Sequence, residues 1–586
     1  MNDQNIDKEN TSFLRKLRSL YSEKKWLLIW MIFGASFLLA IWGFYIYLRA
    51  KNPSLGDVFY KTLQLMALND GTIEVSTANW QLEVSRIALP CTVAWAVIEG
   101  FVLALIRQFN LFRMTRLKGH YIICGLGNKG SVIANDLIEQ NEGKEKNKIV
   151  VLDIDEKNEN IGVLKEAGAL VLSINALDAE WLKMLNPDKA KKIFVMTGND
   201  EVNLAIARKL SLLIALSQKT KGNVQREPQV ITHINSPFIW KLLSRNNAEN
   251  SLPERVVLSN TYDSSARIAL GEILSSDVLK KGAGIKLCIF GFGWLVQSLI
   301  LNLSRQVYLD GLVINVIDGA AKNHEKEFFR QYPFLSSNPH QEFYLGRRIF
   351  PEINFHERHV EQLQRDEMKE HIEDDVIFFG LDDDLLEIEL AMQIRQLQLT
   401  ADNQHRRNIV FISKSSSLAD NFINTCTELG ITILYLQDGV RPLTRDHEER
   451  KQAAKNVHER YLEMTGSNIG FDDLKPLYLN DNYAQIDFWE NYKKWSGLDK
   501  YGVENRIEEL ADLEHRRWLA YRIFSGEQFG CAEGCREKCA KGLVADNCRK
   551  DESKKLHPCL VSYEMLSDYW KEFDRKMVRG RFELGQ

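Results

Sequence analysis

The chain has 586 residues, room for three or four domains at about 150 residues each. Apolar residues make up 45% and charged residues 26%, a globular balance that buries substantial cores. The formal net charge of −4 leaves no basic excess to neutralise phosphates, so no nucleic-acid partner is expected.

Residues 1–25 form a basic segment containing Lys8, Arg15, Lys16, Arg18, Lys24 and Lys25. From Trp26 to Leu48 there is no charge, and a helix rising about 1.5 Å per residue crosses a hydrocarbon core of about 30 Å over that length. A signal peptide would have a shorter apolar part and a small-residue cleavage site, and neither fits. Ile87 to Ile106 predicts a second span, interrupted by Glu99 and followed by Arg107, Arg113, Arg116 and Lys118. Basic flanks at both ends place both termini in the cytoplasm, with the spans in contact with lipid of the inner membrane. Trp26, Trp30, Trp42, Tyr45 and Tyr47 lie where interfacial anchors belong.

Between the spans, Ser54 and Asp57 predict a capping box, and Leu55, Val58, Phe59, Thr62, Leu63 and Met66 form one apolar stripe. A helix over 54–68 then stops at Asn69, Asp70 and Gly71. Span, half-helix, turn and span over 26–117 is the order of a pore-loop channel. Here the chain resembles, in architecture, two-span potassium channels with cytoplasmic regulatory domains. Their filter needs a row of carbonyls from a TVGYG-like stretch, whereas the equivalent here is Leu68-Asn69-Asp70-Gly71-Thr72. The alternative is a membrane anchor whose outer helix lies on the bilayer. Asn69, Asp70 and Glu99 are the candidate pore residues; Glu99 beside Gly100 fits a pore lining, or a protonated interhelical hydrogen bond.

After Lys118 the pattern becomes strand, glycine turn, helix. His120 to Cys124 predicts a strand, Gly125-Leu-Gly127-Asn128-Lys129-Gly130 the turn, and Lys148 to Asp153 the second strand. In that setting the motif marks a dinucleotide site. Gly125 permits the tight turn, Gly127 lets backbone N–H groups approach a pyrophosphate, and Gly130 lets helix and strand pack. Phosphates would sit at the helix N-terminus, and Asp153 would accept from a ribose hydroxyl. Strands at Gly168–Ser173, Lys192–Thr197 and Gln229–His233 follow. The loops Asn175-Ala-Leu-Asp178 and Thr197-Gly-Asn-Asp200…Asn203 look like the ligand-lining loops of RCK (TrkA-N type) domains, and residues 118–272 are similar to that family. The resemblance implies binding of NAD or an adenine nucleotide at Gly125, Gly127, Asn128, Lys129, Gly130, Asp153, Asn175 and Thr197. A Rossmann fold with no nucleotide is the alternative. His233 has no partner for hydride chemistry, so a sensor rather than an enzyme is expected.

Residues 273–445 repeat the order: strand, Gly291-Phe-Gly293-Trp-Leu-Val296, helix, and a second strand ending at Asp318. Val296 replaces the third glycine and Trp294 would crowd a pyrophosphate, so this copy is read as degenerate. Strands are expected at Val376–Phe379, Ile409–Ser413 and Ile431–Leu436. Asp382, Asp383 and Asp384 form an acidic loop that is either solvated or a cation site. Two such units per chain are similar to the gating rings of large-conductance calcium-activated channels, where four chains supply eight units; a homotetramer is implied.

Charge-rich helical sequence from Arg441 to Leu462 looks like a connector, and residues 446–496 read as a linker. From 497 to 586 the residues Glu514-His515-Arg-Arg-Trp518, Tyr521, Gly526…Phe529-Gly530, Lys555-Leu-His557-Pro558-Cys-Leu560, Tyr563, Leu566, Lys571 and Asp574 resemble the RyR repeat, a small, mainly α-helical module named from ryanodine receptors. That resemblance implies binding or gating. His515, Trp518, Tyr521 and His557 offer aromatic faces and donors to a small ligand, or form core. Cys531, Cys535, Cys539 and Cys548 in a reducing compartment suit zinc, although spacings of four also place three thiols on one helical face as core. The expected fold is thus a two-span helical membrane domain, two α/β Rossmann-like units with parallel sheets, and a small helical C-terminal module. The function expected is a ligand-gated ion channel or pore, or a membrane-disrupting effector answering a nucleotide second messenger.

Overall fold

We describe a computed structural model that places residues 27–67, 79–140, 148–221, 228–245, 253, 255–275, 284–336, 349–370, 374–381, 383–400, 408–414, 416–444, 448–474, 476–532 and 548–583. The chain divides into two compact units, 1–116 and 117–586. The basic N-terminal segment, Trp26, Asn69, Asp70, Asp382, Cys535 and Cys539 lie outside the described residues.

In the first unit, α1 (Leu27–Leu48) and the Trp80–Phe101 stretch of α3 (Trp80–Arg116) are long and apolar enough to cross a membrane. Between them lies α2 (Leu55–Met66). Its start is a reciprocal capping box: Asp57 N donates to Ser54 Oγ at 3.1 Å, and Ser54 N donates to Asp57 Oδ2 at 3.1 Å. Ala40, Phe44, Val58, Leu65, Leu82 and Leu89 form the core of this unit. Gly43 is needed where α1 meets α3, because a Cβ there would lie 2.9 Å from Leu82 Cγ. Leu27, Met31, Leu38, Ile87, Val97 and Phe101 remain exposed, an apolar belt of the kind lipid covers. The second long helix starts seven residues before the expected Ile87. Asn79 accepts from Leu82 N at 2.9 Å and so caps it, and a Glu83–Arg86 pair at 3.4 Å stabilises its first, polar turns. Hydropathy marks only the apolar part of such a helix.

The second unit begins with a six-stranded parallel sheet in the order β3-β2-β1-β4-β5-β6. Its strands are β1 (Tyr121–Cys124), β2 (Ile149–Asp153), β3 (Leu170–Ser173), β4 (Lys192–Val195), β5 (Gln229–His233) and β6 (Val256–Ser259). The connecting helices are α4 (Asn128–Gln140), α5 (Asn160–Glu166), α6 (Ala179–Met184), α7 (Asp200–Lys221) and α8 (Pro237–Arg245), with α9 (Thr261–Ser275) following. Crossover helices cover both faces, which is why β1 and residues 193–195 of β4 read as continuous apolar runs.

A second parallel sheet repeats the topology in the order β12-β11-β10-β7-β8-β9. It comprises β7 (Lys286–Phe290), β8 (Val313–Asp318), β9 (Glu352–Glu357), β10 (Val376–Phe379), β11 (Asn408–Ser413) and β12 (Ile431–Tyr435), with α10 (Trp294–Leu303), α11 (Ala321–Gln331), α12 (Asp384–Thr400) and α13 (Ser416–Glu428). The duplication extends to single hydrogen bonds. Gly125 N donates to Leu152 O at 2.7 Å and Gly291 N to Ile317 O at 2.9 Å, with φ of 99° and 91° at the two glycines.

The segment 446–496, expected as a linker with helical sequence as far as Leu462, carries α14 (Glu448–Thr465) and α15 (Pro476–Ser496). Phe488, Trp489 and Tyr492 of α15 join one apolar core with Leu270 of α9, Leu299 of α10, Leu510 of α16 (Ile507–Phe524) and Val578 of α17 (Asp568–Glu583). The charges that made it read as a linker lie on the opposite faces of the two helices or in ion pairs such as Arg450–Asp487 at 2.7 Å.

Candidate functional site

In the first sheet the strand order reverses between β1 and β4, which opens a crevice at the carboxyl ends of the strands. The turn after β1 lies there. At Gly125 a Cβ would come within 2.9 Å of Met196 O, and the positive φ already favours glycine. At Gly130 a Cβ would run into the carbonyl oxygen of Gly125, so the close approach of α4 to the turn requires a bare Cα. Gly127 has open space where its Cβ would be, leaving its backbone accessible at the start of α4.

Asp153 closes the site from β2. Its Oδ2 accepts from Leu126 N at 2.6 Å and its Oδ1 from Asp155 N at 2.8 Å, so the carboxylate shapes the glycine turn while keeping lone pairs for a ligand hydroxyl. Asn158 Nδ2 donates to Leu126 O at 2.8 Å and fastens the other side of the turn; nothing in the motif singled it out. Thr197 is held by the buried Asn203, whose Oδ1 accepts from Thr197 Oγ1 at 2.6 Å and whose Nδ2 donates to His233 O at 3.0 Å. Asn203 therefore braces the loop and does not itself face a ligand. Asn175 is exposed after β3, where its Oδ1 accepts from Leu177 N at 2.9 Å, and Asn128 is exposed at the start of α4. Lys129 turns towards β5: its Nζ donates to Asn235 Oδ1 at 2.8 Å and stands 4.4 Å from the Tyr262 ring. Burial pulls its pKa down to about 8, against the pull of Asp200 and with the help of Lys414.

The second crevice is filled by its own side chains. Phe292 is buried and stacks on His324, with ring centroids 5.4 Å apart, while His324 Nδ1 lies 2.9 Å from Asp318 Oδ1. Val296 fits because residue 380, facing it, is glycine. Asp384 accepts from Ser413 Oγ at 2.7 Å and Asp383 from Leu385 N at 3.0 Å, so both of these acids are engaged around the start of α12.

In the C-terminal module, His515, Trp518 and His557 come together. His515 stacks on Trp518 at 5.7 Å, and Trp518 meets His557 edge-on at 4.8 Å. His515 is buried between Val561 O, 2.9 Å from Nε2, and Asp574 Oδ2, 3.2 Å from Nδ1. Tyr521 lines a separate cavity. Cys548 packs with Cys559, Ala511 and Val561, and Cys531 is buried. Among the described residues no three His, Cys, Asp or Glu side chains could hold a metal ion, so the zinc expectation has no support there.

Burial depresses three histidines: His120 to about 4, His233 to about 2 and His557 to about 3. His233 Nε2 accepts from Thr261 N at 3.2 Å, which suits a neutral ring. Between those values and about 6.5 the unfolded chain binds more protons than the folded one, so stability is complete above pH 6.5 and falls on acidification. Lowering the pH from 7 to 5 should cost about 2 kcal/mol per histidine. Melting temperature measured across pH should show this acid limb, flattened by His→Gln at each position; a limb unchanged in all three variants would assign it elsewhere.

Residues 121–246 match the family model of the TrkA-N domain, and that is the class of domain the first sheet and its crevice define. No curated protein matches the chain. Among solved structures, GsuK bound to ADP is 15% identical with a TM-score of 0.38, over 73% of this chain and 97% of that one. The GsuK channel bound to NAD is 13% identical with a TM-score of 0.38, over 76% and 86%. The human SLO3 gating ring is 11% identical with a TM-score of 0.35, over 56% and 81%. Likenesses at these identities and TM-scores carry no function across to the chain.

Proposed function

We propose that the chain is a nucleotide-regulated ion channel or pore of the inner membrane, working as a homotetramer with both termini in the cytoplasm. The observation that carries this reading is the open Gly127 backbone between Gly125 and Gly130, at the switch point of a TrkA-N domain. NAD or an adenine nucleotide would place its pyrophosphate against that turn and its ribose near Asp153. The two apolar helices with the capped helix between them supply the membrane part. The C-terminal segment, which resembles a RyR repeat, supplies a second input. Gating follows if each ligand binds the open and closed states unequally. The chain then binds and does not catalyse.

A second reading is a membrane-disrupting effector triggered by a nucleotide second messenger. It is favoured by the stretch Leu68 to Thr72, whose sequence has no potassium-filter pattern. Native mass spectrometry of the detergent-solubilised chain should find a tetramer retaining NAD or an adenine nucleotide; a monomer without ligand would sink the gating reading. In planar bilayers, discrete ion-selective steps support the channel, and ligand-triggered leak of larger solutes supports disruption.

A further inference from the structure

A cavity of about 260 Å³ lies away from the glycine turn, where the TrkA-N domain, the second sheet's helices and the C-terminal helices meet. Six segments contribute to it: Lys241 comes from α8, Arg267 from α9, Arg305 from just after α10, Arg450 from α14, Tyr483 and Asp487 from α15, and Arg517 and Tyr521 from α16. Neither the family match, which ends at residue 246, nor the dinucleotide motif accounts for it.

The lining is cationic. Lys241, Arg267, Arg305, Arg450 and Arg517 face two carboxylates, Asp263 and Asp487. Arg517 is balanced from outside the cavity by Glu514 at 2.9 Å and Asp481 at 3.0 Å. Arg267 lies 3.1 Å from Asp263 and 3.4 Å from Asp487, which also holds Arg450 at 2.7 Å. Burial alone would raise the Asp263 carboxyl, but Arg267, Arg305 and Lys241, with a hydrogen bond from Asn302, hold it below its ordinary value. Arg305 and Lys241 flank Phe524, at 5.1 and 4.2 Å from its ring centroid. Among the described residues the buried Nε groups of Arg305 and Arg450 have no hydrogen-bond partner. These cations, apart from Arg517, are only partly withdrawn from water, and an anion with several acceptor oxygens matches their excess of guanidinium and ammonium donors. The remaining wall carries flat rings, Trp240, Tyr483 and Tyr521, with the Arg450 guanidinium 5.3 Å from the Tyr483 centroid. Rings beside guanidinia suit a planar heterocycle next to its charged group.

We propose that this cavity binds a phosphate-bearing ligand of mononucleotide size, the phosphate held by Lys241, Arg305 and Arg450 and the ring by Tyr483 and Tyr521. This deepens the reading of a second input at the C-terminal module and is independent of the crevice at Gly127. A ligand here touches the TrkA-N domain through α8, and α9 and the C-terminal helices α14 to α16 beyond it.

Photolabelling of the full chain in detergent with 8-azido-AMP, followed by peptide mapping, reads the two sites separately. Label on peptides carrying Trp240, Tyr483 or Tyr521, removed by excess AMP, is the expected result. Arg305→Met and Lys241→Met should each reduce that label about tenfold, as loss of one charge-assisted contact implies, while label on 121–153 stays. Retained label on 121–153 also serves as the folding control. Label confined to 121–153, cavity label unaffected by both substitutions, or no AMP-displaced label near the three rings overturns the proposal. Cavity label without any on 121–153 supports it and instead counts against the crevice reading.

Discussion

Gly130→Ala should lower the affinity of the full chain for NAD about 100-fold, a change of about 2.7 kcal/mol, and lower its melting temperature as well. The added methyl has nowhere to go. It would press on the Gly125 carbonyl, which belongs to the turn that positions the phosphate-binding N–H groups. Relief requires moving α4 away from β1, and overpacking of this kind costs about 1–3 kcal/mol. Gly127→Ala separates the two effects: its methyl meets open space, so the fold is expected to tolerate it while a pyrophosphate is obstructed. Calorimetric titration with NAD and thermal melts of both variants provide the check. If Gly130→Ala binds NAD as tightly as the unsubstituted chain, the glycine turn is not the site.

The second large effect is expected at Glu514, which lies almost wholly buried on α16. Its carboxylate accepts from Trp489 Nε1 at 2.7 Å, from Gln485 Nε2 at 2.6 Å and from Arg517 Nε at 3.0 Å. Glu514→Ala removes all three and leaves Arg517 with Asp481 as its remaining ion-pair partner in a buried setting. Breaking such a pair from one side costs about 3–5 kcal/mol, far beyond the value of an exposed pair. Thermal melts should show a large drop for Glu514→Ala and a smaller one for Glu514→Gln, which retains an acceptor. A Glu514→Ala variant melting with the unsubstituted chain would mean that water or relaxation replaces the network.

Much of the first site was legible because backbone geometry dictates its residues. A glycine turn between two apolar strands, closed by Asp153, has few alternative readings, and the structure brings Gly125, Gly127, Gly130, Asp153 and Thr197 to the carboxyl ends of the adjacent strands β2, β1 and β4. What escaped notice shares a different physical cause. Strands β6 and β9 are edge strands in their sheets, and the Glu-Ile-Asn-Phe-His-Glu run of β9 alternates as a half-exposed strand does, without a continuous apolar run. Helix α15 hides its buried Ile486, Phe488, Trp489 and Tyr492 among polar neighbours, so its role depends on partners remote in sequence. The cavity lined by Arg305 and Arg450 was invisible for the same reason. Its cations are scattered from residue 241 to residue 517 and form no motif.

The core shared by α9, α10, α15, α16 and α17 has a consequence for how the chain can be divided. A segment whose Trp489 and Val578 lie in the same interior as Leu299 is not a detachable appendage, whatever its resemblance to a free-standing repeat. Cutting before residue 446 or residue 497 would uncover apolar surface on α9 and α10 rather than release a finished part. From 117 to 586 the chain forms one compact unit, so a ligand bound in it would act on one object rather than on beads along a string.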